Sequence, residues 1–141
     1  MLVLERNNQK INEFVRLSIS RFEAENGKPL LVGIYCCPWA GWITTNFNLT
    51  KEIIDTNHYC PDFEYVEYDI LELPEWVNEY ETDFPEFALN GDLIKHDHDL
   101  GDENLNRLMF HFLKSIMVKL KSNYEAPFIL QMVDSEMIEV L

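Results

Sequence analysis

Apolar residues recur at steps of three and four through the later part of the chain: Leu105, Leu108, Met109, Phe112, Leu113, Ile116, Met117 and Leu120. That spacing makes a core-facing stripe and predicts a helix from about Glu103 to Lys121, with an acidic start and a basic end that suit the helix dipole. Ile11, Phe14, Val15, Ser18 and Phe22 show the same period, so residues 9–25 also read as a helix, and Gly27 stops the pattern. The run PLLVGIYCC is short, continuous and apolar, as a buried central strand would be. GWITTNFNL alternates instead, with Ile43, Thr45, Phe47 and Leu49 on one face. Pro38 to Gly41 has turn chemistry, because proline presets φ and glycine accepts positive φ. Residues 30–49 therefore form a predicted β-hairpin.

Thr50 is placed to cap a short helix running to about Thr56. DFEYVEYDI reads as a strand with Val66, Tyr68 and Ile70 on one face and Tyr65, Glu67 and Asp69 on the other. Pro74 fits the first turn of a helix over PEWVNEYE. Residues 84–100 read mostly as loop. FILQMV and MIEVL, separated by a polar turn, read as a closing hairpin. The predicted order is α-β-β-α-β-α-α-β-β. It implies an α+β fold in which helices pack on an antiparallel or mixed sheet, within a single domain spanning 1–141.

Composition narrows the function. The hydrophobic fraction of 47% and 18 aromatic residues fit a packed globule. No apolar run approaches the roughly 20 residues of a membrane helix. The start MLVLERNNQK is too soon charged to be a secretory signal, and three cysteines do not make a disulfide framework, so a reduced cytoplasmic setting is expected. The net charge of −14 opposes direct contact with nucleic acid or an anionic membrane surface. Its distribution says more. Between Lys51 and Lys95 there is no Lys or Arg, while thirteen acids occur there, threaded with aromatics.

The residues able to carry chemistry are few. Adjacent Cys36 and Cys37 point to opposite faces of a strand, so they do not readily share a metal. A thiol- or zinc-dependent enzyme would need them together with Cys60 and His58. An acidic chain raises a thiol's pKa, which favours packing roles for both cysteines. KHDHDLGDE resembles a calcium loop, but its glycine comes one residue early and no glutamate stands at the twelfth position. A polar loop in which Asp99 or Asp102 caps the long helix accounts for it better. His111 lies opposite the apolar stripe, and no phosphate-cradling glycine loop, nucleophile elbow or dinucleotide fingerprint occurs. Neither a catalytic residue nor a cofactor or metal site is predicted.

What remains is a partner-binding surface. Exposed aromatics supply anchoring energy, and surrounding charges steer and orient. The candidates are Asp62, Glu64, Tyr65, Glu67, Asp69, Glu72, Glu75, Trp76 and Glu79, with Trp39 and Trp42 of the hairpin turn. Tyr65 and Trp76 are the expected exposed anchors. The partner they suit is a basic protein surface. Acids alternating along a strand, about 6.6 Å apart, would also suit a nucleic-acid mimic.

The N-terminal helix, the hairpin LLVGIYCCPWAGWITTNFNLT, the ILELPEW segment and the late helix running into FILQMVDSE resemble a family of uncharacterised bacterial proteins. The likeness spans most of the chain. More broadly the chain resembles the small acidic α+β immunity proteins encoded beside bacterial toxins. That resemblance implies a non-enzymatic protein that occludes a toxin's active site or a neighbouring surface. Many such toxins are nucleases, whose substrate grooves must be basic.

Overall fold

A computed structural model describes residues 1–52 and 62–141. Its largest feature is a five-stranded sheet. Strands β2 (Leu31–Cys37) and β3 (Trp42–Asn48) form the predicted hairpin. Around them lie β4 (Tyr65–Glu72), β7 (Phe128–Met132) and β8 (Ile138–Val140), in the order β4-β3-β2-β7-β8. The pairings are antiparallel except for β2 with β7, which run parallel, so the sheet is mixed. β2 is buried along its whole length, as its unbroken apolar run requires of a strand paired on both sides.

Helices α1 (Asn8–Asn26) and α3 (Glu103–Lys121) cover one face of this sheet. The α1 stripe Ile11, Val15, Ile19 and Phe22 meets Val32, Ile34, Ile43 and Phe47 in one core with Phe112, Ile116, Phe128 and Leu130. Ser18 lies within that stripe and shares a 2.6 Å hydrogen bond with Thr45, so two buried hydroxyls satisfy each other. Gly27, at φ +98°, ends α1 and donates its N–H to Glu23 at 2.9 Å, closing the last turn without the cost a side chain would meet there. On the other face, Phe63 lies over Gly33, where a Cβ would come within 2.2 Å of the ring. Phe63 thereby joins Leu31 and Ile129 in a second, smaller cluster.

Two readings of the sequence need correction. Residues 84–100, expected as loop, contain strands β5 (Glu86–Leu89) and β6 (Asp92–Lys95). Together with β1 (Leu2–Val3) they make a three-stranded sheet in the order β1-β5-β6. Asn90 (φ +54°) and Gly91 (φ +84°) form the two-residue turn between them. Asn-Gly between apolar residues is the strongest short hairpin signal, and it was present in LNGDL. The second correction concerns Thr50, which caps no helix in the described part of the predicted 50–56 segment. Its hydroxyl donates to Glu64 at 2.7 Å. The remainder of that segment lies outside the described residues.

Helix α2 (Pro74–Tyr80) starts at its proline as predicted, directly after β4. It is tied to the β2–β3 turn: Leu73 N–H donates to Gly41 O at 2.6 Å. Gly41 sits at φ +64°, with Leu73 O and Val77 each 2.6 Å from where a Cβ would stand. Only glycine satisfies both the backbone conformation and the close approach.

Candidate protein-binding surface

The CCPWAGW stretch is a hairpin turn. Gly41 N–H donates to Pro38 O at 3.2 Å, and Trp39 and Trp42 are partly exposed on either side. Cys36 faces the helices and Cys37 the opposite side of the sheet; both are buried. Burial, with the neighbouring Cys37 adding to it, pushes the Cys36 thiol well up. Burial also pushes Cys37 up to about 11, against weaker hydrogen bonding from the turn backbone. Thiols held protonated in this way are poor nucleophiles and poor metal ligands. Cys60 and His58 lie outside the described residues. Among the described residues no three His, Cys, Asp or Glu side chains are grouped to hold a metal.

The KHDHDLGDE loop is organised around α3. Asp97 accepts from Asp99 N–H at 2.9 Å and caps the short 3₁₀ turn His98–Leu100. Asp102 stands at the N-terminus of α3, but its carboxylate does not cap the helix as expected. It accepts the Tyr80 hydroxyl at 2.9 Å. Buried His96 places Nε2 3.2 Å away from it, outside hydrogen-bonding geometry. Burial, reinforced by Asp102, pushes the Tyr80 phenol up to about 12. The loop's polar groups therefore join β6, α2 and α3. His111 is exposed, as expected.

The acidic middle of the chain divides into two sets. Four of the predicted contact acids are used internally. Glu64 accepts from the N–H groups of Leu49, Thr50 and Lys51 at 2.8–3.0 Å, and from the Thr50 hydroxyl. Those bonds, the Thr50 side chain first, hold its carboxylate down at about 2. Asp69 pairs with Arg21, whose guanidinium also lies 4.8 Å from the Tyr68 ring centre and reaches Tyr68 O. Glu75 accepts from Asn7 Nδ2 at 2.6 Å, and Glu79 from Glu86 N–H at 3.1 Å. Asp62, Glu67 and Glu72 remain exposed.

The expected anchors also move. Trp76 is 0% exposed and belongs to the core, its indole N–H donating to Asn7 Oδ1 at 2.9 Å. The helix pattern had no means of showing this, because α2 is too short for a clear stripe. Tyr65 is half-buried, packed edge-on to Phe22 with ring centres 5.0 Å apart.

The cause is a bulge that the alternation in β4 did not reveal. Thr45 pairs with Asp69 and Phe47 with Tyr65, so two steps along β3 oppose four along β4. Glu67 takes φ +52° within the bulge and donates its N–H to Asn46 Oδ1 at 2.7 Å. Asn48 Oδ1 likewise accepts Glu64 N–H at 2.8 Å. The two asparagines of NFN thus hold backbone groups that the irregular strand turns away from the ladder. Tyr65, Tyr68 and Asp69 come to the α1 side, while Val66 (49% exposed) and Ile70 (57%) face solvent. Among the described residues the most exposed aromatic of the acidic stretch is Phe84, at 84%, in the turn after α2 beside exposed Glu81 and Asp83. No protein family, curated protein or solved structure matches this chain.

Proposed function

We propose that this protein is a non-enzymatic binding protein of the immunity type, acting in the cytoplasm against a toxin domain with a basic surface. The observation that carries the reading is that exposed apolar residues stand beside exposed acids, Val66 and Ile70 with Glu67 and Glu72 on β4 and Phe84 with Glu81 and Asp83 in the turn after α2, in a sequence stretch with no Lys or Arg. Apolar anchors with a charged surround are the anatomy of an interface, and a single sign of charge selects a partner of the opposite sign. The internal use of Glu64 and Asp69 interrupts the row of acids that a nucleic-acid mimic would present.

The test is binding to any toxin-like domain found encoded beside this chain, measured as kinetics at two salt concentrations. Glu67→Lys with Glu72→Lys should slow association and flatten its salt dependence, since complementary charge acts mainly on the on-rate. Phe84→Ala should speed dissociation, at a cost of about 2 kcal/mol if it is a central anchor. Unchanged kinetics in both variants would move the interface elsewhere, with the Trp39–Trp42 turn next to be tested.

A further inference from the structure

We infer that the outer edge of β4 receives an extended, basic segment of the protein partner, which adds a strand to the five-stranded sheet. The inference rests on the binding reading above and names its mode.

The hydrogen-bond phase of the sheet identifies the open groups. Val32 N–H donates to Pro127 O at 3.1 Å, and Cys36 O accepts from Val133 N–H at 2.8 Å. The backbone groups of Val32, Ile34 and Cys36 therefore turn toward β7, and those of Gly33, Tyr35 and Cys37 toward β3. Their β3 partners Asn46, Thr44 and Trp42 face back to β2, which leaves Ile43 and Thr45 facing β4. Ile43 and Thr45 pair with Leu71 and Asp69. The bond from Leu73 N–H to Gly41 O continues the same phase. By alternation the N–H and C=O groups of Ile70 and Glu72 point outward, and among the described residues no strand pairs with that edge.

The edge has defined limits. At one end Arg21 takes Tyr68 O and the bulge at Glu67 ends the regular ladder. At the other, Pro74 offers no N–H. Residues 69–72 between them keep an unshifted register with β3. An open edge usually invites self-pairing, and natural proteins oppose it with charge and bulges. Here those devices select a partner. A second copy would bring Glu67 and Glu72 of two chains, each of net charge −14, to one seam. A strand carrying Lys or Arg meets the same acids favourably, and an apolar residue two positions from a basic one, on the same face, covers exposed Ile70 while the basic one meets Glu72.

The probe is a short peptide with the repeat Lys-Lys-Val-Val, which sets lysine and valine alternately along each face of a strand, with a version N-methylated at every residue that keeps charge and side chains but cannot pair as a strand. Backbone amide exchange of the full chain is followed by NMR. The expected result is that the unmethylated peptide slows exchange at Ile70 and Glu72 at least tenfold when saturating, and that the methylated one does not. Ile70→Pro removes one outward N–H without breaking the β3 ladder, a position where an edge strand tolerates proline. It should abolish the protection, and the wild-type comparison of the two peptides stands even if that variant folds poorly. Salt-sensitive binding of both peptides without protection at Ile70 and Glu72 would overturn strand addition while leaving an acidic binding face in place. Binding of neither peptide would also overturn it, and the kinetics of the charge-reversed variants would then decide the broader reading separately.

Discussion

The centre and the edge of the five-stranded sheet obey the same alternation rule with different outcomes. β2 and β3 are each paired on both sides, and their alternate residues fall to the helix face or the opposite face without a break. Among the described residues β4 is paired on one side, and there two extra residues loop out at Glu67. At the centre a slip of one residue would turn a whole row of core side chains to the wrong face, so the register is strongly specified. At the edge the penalty is smaller, and a bulge can re-aim side chains one at a time. The lesson for charge is that an acid's place in a strand pattern does not decide its availability. Glu64 and Glu67 are three residues apart, yet one is a cap with several donors and the other is free on the surface.

The largest expected effects lie at the centre. Phe112 is buried in the middle of the α3 stripe, with its ring centre 6.4 Å from that of Trp76. Phe112→Ala should cost about 3–5 kcal/mol in denaturant unfolding, as truncation of a large core aromatic does. A loss below about 1 kcal/mol would mean that the stripe is not a packed core. Next is Asn7→Ala, which removes the acceptor of the buried Trp76 indole N–H. Leaving such a donor unsatisfied should cost about 1–3 kcal/mol. If Trp76 were the exposed anchor suggested by its acidic neighbours, water would replace Asn7 and stability would hardly change.

Those two residues also mark how far the sequence could be read. The α3 stripe gave Phe112 its place because nineteen helical residues sample the period many times. The central hairpin was legible for a related reason, since a proline–glycine turn and a clean alternation agree. Trp76 was not legible, because the seven residues of α2 contain too few turns to separate an inner from an outer face. Neither was the bulge within β4, a strand otherwise expected from its alternation, because it depends on side chains of β3 that supply acceptors from another part of the chain. The exposure of Val66 and Ile70 and the burial of Trp76 follow from these tertiary facts.

A third change tests the internal set of acids. The Glu64 carboxylate titrates at about 2 in the folded chain, below its ordinary 4.5. A lowered carboxylate adds stability above the unfolded value and loses it as pH falls toward the folded one. The stability difference between wild type and Glu64→Gln should therefore be constant above about pH 5, shrink as the pH falls from there, and level off near about pH 2. A difference that stays constant down to about pH 2 would show that the Thr50 and backbone donors do not hold Glu64 and would remove the distinction between internal and available acids.

The smallest effect has the most informative sign. In the interior of a regular strand, glycine is unfavourable by roughly 0.5–1 kcal/mol, because it orders a freer backbone and packs no side chain. Glu67 is not in such a place: at φ +52° its side chain meets the left-handed region, which costs an L residue about 1 kcal/mol. Its N–H bond to Asn46 belongs to the backbone and survives any side-chain change except proline. Glu67→Gly should therefore leave stability unchanged or raise it by up to about 1 kcal/mol. Glu67→Val, a good strand former, should lower it, since a β-branched side chain tolerates positive φ poorly. The reverse order in equilibrium unfolding would place residue 67 in an ordinary strand. Val66, Tyr68 and Ile70 would then share one face, and the bulge that limits the edge proposed for a basic strand would be absent.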